Sequence, residues 1–225
     1  MPQTILIVGA TRGLGLEFAR QYTAEGARVL ATHRRPEDAE RLRALGAEPL
    51  LLDVNDAAQV AGLARQLDGV ALDVAVVNAG VLGSRSAGLA PPPADEFDAV
   101  MHTNVLAPMR LLALLAEPLT TAHGRVAVIS SRMGSVALAG TSSSWLYRAS
   151  KAALNMVLKV ASGELGARGV ICLALHPGWV RTDMGGANAD IDVVTSVTGM
   201  RQVIADAGPQ DNGAFFDYAG EALPW

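Results

Sequence analysis

The sequence predicts an α/β fold in which a doubly wound parallel sheet carries helices on both faces. Three observations lead to this prediction. Short apolar runs alternate with longer amphipathic segments from one end of the chain to the other. The runs are rich in Val, Ile and Leu with little polar alternation, which is typical of strands buried on both faces of a parallel sheet. A glycine-rich turn joins the first run to the helical segment after it.

The apolar runs are predicted as seven strands. They lie at 4–9, 27–33, 48–54, 72–80, 125–131, 170–178 and 214–219. Helical patterns lie near 14–25, 37–45, 56–67, 95–120 and 147–167. Strands that alternate with helices in this way favour right-handed βαβ units and therefore one parallel sheet.

Size and composition indicate one globular domain over residues 1–225. Half of the 225 residues are apolar and 18% are charged, which indicates a well-buried chain. The stretch near 183–200 is rich in Gly, Asn and Asp at its start, and we expect a mobile excursion there before the last helix. The formal charge of −4 gives no reason to expect nucleic acid or an anionic membrane as a partner.

Signals for targeting, redox chemistry and metal binding are weak. The chain starts with no basic segment, long apolar run and cleavage site, and the apolar stretch at 109–119 is interpreted as too short and too interrupted to span a bilayer. We therefore expect a cytoplasmic protein. The single cysteine, Cys172, is predicted to be a buried strand residue. The histidines have no ligand-like spacing, which predicts no catalytic metal.

The turn after the first predicted strand carries Gly9, Gly13 and Gly15. Glycines at such a junction allow a tight turn and let the backbone approach a pyrophosphate, which the N–H groups of the following helix can bind. The spacing is GxxxGxG and not the GxGxxG of many dinucleotide folds. A plain glycine-rich connection between strand and helix is the alternative.

The end of the second predicted strand indicates which dinucleotide is preferred. An acidic residue is expected there in a protein that binds the ribose hydroxyl of NAD. This chain instead has His33, Arg34 and Arg35, and Arg12 lies inside the glycine turn. Because guanidinium groups suit the 2′-phosphate, we expect NADP(H) to be preferred over NAD(H). An ordinary solvated turn at Arg34 and Arg35 is the alternative.

Several motifs then follow in the order of a known family. They are GATRGLG at 9–15, NAG at 78–80, HTNV at 102–105, ISSRMG at 129–134, YRASK at 147–151 and HPGWVRT at 176–182. With this combination the chain resembles the single-domain short-chain dehydrogenases/reductases over essentially its whole length. It is most similar to their C-factor-like and sniffer-like carbonyl reductase subgroup. The resemblance implies a Rossmann-like domain with about seven strands in the order 3-2-1-4-5-6-7.

The resemblance also implies the residues that contact the dinucleotide. Asp53 and Val54 would flank the adenine, and Val180 and Thr182 would lie at the nicotinamide end. With the arginines and the catalytic pair, the implied set is Gly9, Thr11, Gly13, Leu14, Gly15, His33, Asp53, Val54, Asn78, Ala79, Gly80, Pro177, Gly178, Val180 and Thr182. The NAG motif could also be a simple turn, and Thr182 with the next residue could be a helix N-cap pair.

Tyr147 and Lys151 are the candidate catalytic pair. Their i, i+4 spacing places them on one face of a helix. A free tyrosine, with a pKa of about 10, is a poor partner for proton transfer at neutral pH, and a nearby ammonium group lowers that pKa. The resemblance assigns Tyr147 as proton donor to the substrate oxygen, and Lys151 as the residue that binds the nicotinamide ribose and lowers the tyrosine pKa. The spacing alone fits an exposed helix face better.

A serine at the end of the fifth strand is expected to complete the site. Strand alternation sends Ser130 and Ser131 to opposite faces. The family pattern selects Ser131, which would hold the substrate oxygen and stabilise its developing charge, and leaves Ser130 as the alternative. Thr141–Ser144 and Trp145 lengthen the interval before Tyr147. Trp145 either lines the substrate pocket or anchors this loop.

Asn104 is the fourth candidate catalytic residue. Pro108 has no N–H group, so the Asn104 carbonyl loses its i+4 partner, which predicts a kinked helix. In the family the matching asparagine holds a water molecule linked to the lysine, which implies a proton relay to Lys151. The proline explains a kink equally well without any catalytic role.

These features together predict an NADP(H)-dependent oxidoreductase that interconverts a ketone or aldehyde and its alcohol. The alternatives are a signalling or regulatory protein that binds the dinucleotide with little turnover, and a sugar-nucleotide epimerase or dehydratase, for which we expect a longer chain with a C-terminal substrate domain. The loops around the site lack a charged cluster, which favours a small, uncharged carbonyl substrate. Apolar faces on the helices at 95–120 and 147–167 favour a homo-oligomer, either a dimer or a tetramer.

Overall fold

The computed structural model describes residues 2–225 and contains a seven-stranded sheet with the order β3-β2-β1-β4-β5-β6-β7. Every pair of neighbouring strands is parallel. The predicted fold class and strand order are therefore confirmed. The strands are β1 Thr4–Val8, β2 Arg28–His33, β3 Glu48–Leu51, β4 Val74–Val77, β5 Arg125–Ile129, β6 Ile171–His176 and β7 Ala214–Asp217.

Within the described residues, seven α-helices connect and cover the strands. They are α1 Gly13–Ala24, α2 Ala39–Ala44, α3 Ala57–Gln66, α4 Ala94–Met101, α5 Ala107–Ala122, α6 Trp145–Gly166 and α7 Val193–Asp206. Single 3₁₀ turns lie at Pro36–Asp38, Arg132–Gly134 and Pro209–Asp211. The five predicted helical segments are all present.

The sheet buries both of its faces. Along β1, Ile5 and Ile7 point to one face while Leu6 and Val8 point to the other, and all four side chains are fully buried. The first pair packs in a core with α1, α2 and α7, and the second pair packs in a core with α3, α5 and α6. Burying each such side chain contributes about 1.5–3 kcal/mol, which explains why the predicted strands show so little polar alternation.

Helices α4 and α5 are joined by a π-turn at His102–Leu106. In this turn the Ala107 N–H donates to the His102 carbonyl, five residues back, so one extra residue fits into the helix. Pro108 follows directly, at the start of α5. The irregularity predicted as a kink at the proline therefore takes the form of a π-turn within a continuous helical segment.

The segment Ala94–Ala122 is 29 residues long and apolar enough, by length and composition, to cross a membrane. The apolar stretch at 109–119 is part of this longer segment, because the π-turn joins α4 and α5 into one continuous helix. Leu111, Leu115 and Leu119 are fully buried in the core against the sheet. The packing of α5 accounts for the apolar character of these positions.

The last helix begins earlier than the sequence analysis placed it. Asp192 is the N-cap of α7, and its carboxylate accepts a hydrogen bond of 2.7 Å from the Thr195 N–H. Residues 193–200 are therefore helical, and the irregular part of the predicted 183–200 excursion ends at Asp192. This irregular part crosses the carboxyl-terminal edge of the sheet beside the glycine turn, where Asp183 meets Arg12.

Candidate active site

A cleft of about 520 Å³ opens at the carboxyl ends of the strands, where the strand order reverses between β1 and β4. Ligands of open α/β sheets bind at such a reversal. The predicted cofactor residues that line the cleft are Gly9, Thr11, Arg12, Gly13, Leu14, His33, Arg34, Asp53, Val54, Asn78, Ala79, Gly80, Tyr147, Lys151, Pro177 and Thr182.

Sequence reasoning missed several other residues that line the cleft. They are Thr32, Asn55, Thr103, Arg181, Met184 and Val193. The position of Thr32 could have been predicted, because Thr32 and His33 are the last two residues of the second predicted strand. No sequence pattern indicated Asn55, because its side chain is held at the site by a hydrogen bond of 3.0 Å to the hydroxyl of Thr103, 48 residues away.

The glycine turn is held from two sides. The Thr32 hydroxyl accepts a hydrogen bond of 2.8 Å from the Gly9 N–H, and the Asn78 side-chain amide donates one of 2.8 Å to the Gly9 carbonyl. Gly9 has a φ of 84°, in the left-handed region that favours glycine. A Cβ on Gly15 would overlap the Gly9 carbonyl oxygen, so this third glycine lies beneath the turn and outside the cleft lining.

The N-terminus of α1 points into this turn. Within residues 2–225, no side chain caps the helix at Arg12 and no acidic residue occupies its first turn. The first N–H groups of a helix lack partners inside the helix and carry a partial positive charge. The turn can therefore accept a pyrophosphate, and its residues fit the phosphorylated dinucleotide that the sequence implies.

The predicted convergence of three arginines is only partly correct. Arg34 lines the cleft, whereas Arg35 turns away and its guanidinium bonds Asp38 at 3.1 Å. Arg12 lines the cleft but pairs with Asp183 at 2.8 Å, with both side chains largely exposed. A guanidinium that the sequence reasoning missed, that of Arg41, donates to the Thr11 carbonyl at 3.2 Å.

Tyr147 and Lys151 come together at the inner end of the cleft. Both side chains are buried, and the Lys151 Nζ lies 5.7 Å from the centre of the Tyr147 ring. The same ammonium donates a hydrogen bond of 2.8 Å to the Ile129 carbonyl at the end of β5. Burial lowers the pKa of Lys151 to about 8.

The expected lowering of the Tyr147 pKa by Lys151 does not occur in this structure. Burial raises the Tyr147 pKa to about 12, and only a hydrogen bond with Ser131 opposes that rise. The physical reason is that loss of hydration destabilises the phenolate by more than the surrounding groups stabilise it. Tyr147 is therefore a protonated hydroxyl at neutral pH.

The two serines after β5 have different surroundings. The Ser130 hydroxyl donates to the Asn155 side chain at 2.5 Å, and both residues are buried. The Ser131 hydroxyl accepts from the Met133 N–H at 3.1 Å, and Ser131 lowers the pKa of Tyr147 against the effect of burial. Both serines line the side chamber with Tyr147, and Ser130 also lines the cleft, so the choice of Ser131 as the catalytic serine stays a prediction.

Asn104 lies fully buried in the π-turn, with its side chain directed at the loop after β4. Its amide donates to the Val81 carbonyl at 2.8 Å and to the Ser150 hydroxyl at 3.0 Å, and its oxygen accepts from the Val81 N–H at 2.8 Å. A Cβ on Gly80 would lie 3.3 Å from the Asn104 oxygen and 3.5 Å from the Lys151 Nζ. Gly80 thus lies between Asn104 and Lys151, and the water-mediated relay stays a prediction.

A second cavity of about 630 Å³, here called the side chamber, adjoins the cleft. Tyr147 lines both cavities, while Ser131, Gly178 and Val180 line only the side chamber. Trp145 lines neither cavity, and its indole N–H donates to the Ala90 carbonyl at 3.2 Å, so it anchors the loop. The apolar residues of the side chamber are Leu14, Leu82, Met133, Leu138, Trp179, Val180 and Met184.

His176 lies at the end of β6 on the wall of the side chamber. Its Nδ1 atom is buried and has no hydrogen-bond partner in the part of the chain that the structure describes. Burial lowers the pKa of His176 to about 4, partly opposed by Asp217 and reinforced by Arg132. The imidazole is therefore neutral at physiological pH.

This depressed pKa makes stability dependent on pH. The unfolded chain binds a proton at His176 near pH 6.5, whereas the folded chain does so only near pH 4, so the free energy of unfolding falls as the pH drops through this window. On acidification, the free energy of unfolding should fall by up to about 3 kcal/mol less in His176→Gln than in wild type. Urea unfolding of both chains at neutral pH and at about pH 4.5 measures this difference. The control is the same substitution at His102, which is exposed. An equal decrease in the free energy of unfolding in wild type and in His176→Gln would contradict the prediction.

Cys172 is fully buried in β6, as predicted, and burial raises the pKa of its thiol to about 12. Across residues 2–225 the structure contains no group of three or more His, Cys, Asp or Glu side chains that could hold a metal ion.

Comparison with known proteins places these features in context. A family model described as short chain dehydrogenase matches residues 3–192. The chain is 41% identical over 155 residues to C-signal of Myxococcus xanthus, covering 68% of this chain and 93% of that protein. Its structure matches carbonyl reductase Sniffer of D. melanogaster with a TM-score of 0.93, 29% identity and full coverage of both chains. It also matches NADPH-bound carbonyl reductase from chicken fatty liver with a TM-score of 0.91 and 30% identity, over 100% of this chain and 94% of that one.

Proposed function

Because this chain belongs to the short-chain dehydrogenase family, we propose that it is an NADP(H)-dependent oxidoreductase that interconverts a ketone or aldehyde and its alcohol. The observation that carries the proposal is the position of Tyr147, which lines both the dinucleotide cleft and the side chamber. A carbonyl carbon in the side chamber and a nicotinamide in the cleft would meet at this hydroxyl.

In this proposal the side chains of the site bind the carbonyl oxygen and supply its proton. Bound NADPH supplies the hydride. Ser131 and Tyr147 donate hydrogen bonds to the substrate oxygen, and Tyr147 transfers its proton as negative charge develops there. The raised pKa keeps Tyr147 protonated until that moment. Lys151, which is charged below about pH 8, stabilises the phenolate that remains.

The preference for NADP(H) is part of the proposal, and Arg34 is its main support. NADP(H) is the dinucleotide bound in four of the similar solved structures. Arg34 lines the cleft and makes no ion pair with a carboxylate among the described residues, which leaves its guanidinium available to a 2′-phosphate. A cytoplasmic location and a homo-oligomeric state also remain parts of this proposal.

We expect Arg34→Ala to weaken NADPH binding by roughly 10- to 100-fold and to leave NADH binding nearly unchanged, because a charge-assisted contact to the 2′-phosphate is lost. Fluorescence titration with both cofactors measures the two affinities. The matched control is Arg35→Ala, whose guanidinium bonds Asp38 and lies outside the cleft lining. A larger effect from Arg35→Ala than from Arg34→Ala would contradict this placement of the phosphate.

The proposed reaction is tested with a panel of aldehydes and ketones. NADPH oxidation is followed at about 340 nm, where the reduced nicotinamide absorbs. Reduction of at least one carbonyl compound by wild type, with Tyr147→Phe inactive, is the expected result. Oxidation of NADPH at equal rates by both chains would overturn the assignment of Tyr147.

One observation favours a second candidate function. The 41% identity to the protein named C-signal supports a signalling or regulatory protein that binds the dinucleotide with little turnover. This alternative predicts that the chain binds NADPH but reduces no member of the panel. Binding without turnover would therefore decide in its favour.

A further inference from the structure

The side chamber is lined by three arginines and by no acidic side chain of the described chain. Arg85 comes from the loop after β4, Arg132 follows Ser131 directly, and Arg148 follows Tyr147 directly. They come from separate segments, so their charges are brought together only by the fold. The rest of the lining is apolar side chains, serines, glycines, one proline, one threonine and His176.

None of these three guanidinium groups forms an ion pair within residues 2–225. Arg85 donates to the Met184 carbonyl at 2.9 Å, and Arg148 donates to the Ser143 carbonyl at 2.9 Å. Both partners are neutral, so the positive charges are not cancelled. Arginines elsewhere in the described chain commonly have a carboxylate partner, as at positions 12, 20, 28, 35, 43, 168, 181 and 201.

The charges and the apolar surface are arranged around the candidate catalytic pair. The hydroxyl of Tyr147 and that of Ser131 mark where a carbonyl would react, and Leu82, Met133 and Trp179 supply apolar surface in the same cavity. Arg85 and Arg132 are exposed, which places their charges at the solvent side of the chamber. A ligand that fits this arrangement has a carbonyl, an apolar stem and a negative charge.

We propose that the side chamber selects carbonyl substrates that carry an anionic group, either a carboxylate or a phosphate, and that Arg85, Arg132 and Arg148 bind this anion. Guanidinium forks bind both groups with paired hydrogen bonds. The proposal rests on the proposed carbonyl reduction and specifies its substrate class. It replaces the uncharged substrate that the loop sequences favour.

Arg132 is the most informative position for the test. Its side chain is exposed and makes no hydrogen bond or ion pair with other described residues, so its loss leaves the surrounding structure intact. Arg148 is less suitable, because it also bonds the Thr141 hydroxyl and the Ser143 carbonyl and so holds the loop. Arg85→Ala is the second variant, since a single contact to the Met184 carbonyl is lost.

The experiment compares substrates that share one aldehyde and differ in charge. The substrates are 4-carboxybenzaldehyde, its methyl ester and 4-formylphenyl phosphate, each reduced with NADPH by wild type and by the Arg132→Ala and Arg85→Ala variants. We expect wild type to have a higher kcat/KM for the anions than for the ester. Arg132→Ala should lower the ratio of anion to ester kcat/KM by about tenfold, mainly through KM, and Arg132→Lys should restore part of it.

The control variant is Arg65→Ala. Arg65 is an exposed arginine of α3 that lies outside both cavities, so the variant removes the same net charge without touching the chamber. The ratio should stay at its wild-type value in this variant. An equal change in Arg65→Ala and Arg132→Ala, or a wild-type preference for the ester, would overturn the proposal.

Failure of this proposal can be distinguished from failure of the proposed function. Reduction of the ester with no preference for either anion overturns the anion site and leaves carbonyl reduction standing. If no aldehyde is reduced, calorimetric titration of benzoate and of phenyl phosphate into wild type and Arg132→Ala still tests the anion site. Weaker binding to the variant supports it, and equal binding or none overturns it.

Discussion

Replacement of Tyr147 by Phe is expected to lower kcat for carbonyl reduction by roughly 10³-fold while leaving NADPH affinity within about twofold of wild type. The phenolic hydroxyl is the proposed proton donor, and Tyr147 lines both the cleft and the side chamber. Phe retains the buried ring and removes only the oxygen. Steady-state kinetics with the best aldehyde and a fluorescence titration with NADPH measure the two quantities.

The matching control for this variant is Ser131→Ala. It removes the hydrogen-bond partner of Tyr147 and keeps the proton donor, so kcat should fall less, by roughly 10- to 100-fold. Thermal unfolding should show both variants folded. A Tyr147→Phe chain with more than about a tenth of wild-type kcat would show that another group or water supplies the proton.

Replacement of Gly15 by Ala is expected to destabilise the fold by about 3 kcal/mol and to weaken dinucleotide binding at least about tenfold. A Cβ on Gly15 would overlap the Gly9 carbonyl oxygen and lie 2.7 Å from the Asn78 Nδ2. These two atoms form the hydrogen bond that holds the glycine turn. The added methyl group would therefore displace the turn that is proposed to bind the pyrophosphate.

Gly163→Ala is the matched control, because Gly163 is also a helical glycine and an added Cβ there would meet nothing within 4 Å. Alanine at this exposed helical position should stabilise the protein by roughly 0.5–1 kcal/mol. Urea unfolding and NADPH titration of the two variants measure both effects. Similar stability and cofactor affinity in the two variants would show that the turn tolerates a side chain and would contradict the prediction.

The elements of the fold were largely predictable because their signals are local. A strand buried on both faces must be continuously apolar, as β1 and β6 are, and the glycines between β1 and α1 indicate a turn that other residues cannot form. The spacing of Tyr147 and Lys151 on one helix also depends only on local geometry. The start of α7 was misplaced because its cap, Asp192, lies in a stretch whose composition resembles a loop.

The electrostatics of the site were less predictable. A lysine four residues after a tyrosine suggests a lowered tyrosine pKa, yet the pKa of Tyr147 is raised because the surrounding structure excludes water. Burial is a property of the whole packed domain and has no signature in the spacing of two residues. The same holds for His176, whose pKa is lowered because the imidazole is buried in the wall of the side chamber.

The sequence by itself determined the order of strands and helices along the chain and the glycine turn, because hydrophobic periodicity and backbone requirements act over a few neighbouring residues. The candidate pair Tyr147 and Lys151 came from the family resemblance, and its catalytic role stays a proposal. Only the tertiary structure decided where each charge points. Arg35 turned to Asp38 while Arg34 stayed in the cleft, and Arg85, Arg132 and Arg148 met in one chamber. The direction and solvation of a long charged side chain depend on segments that are distant in sequence, and these come together only when the chain packs.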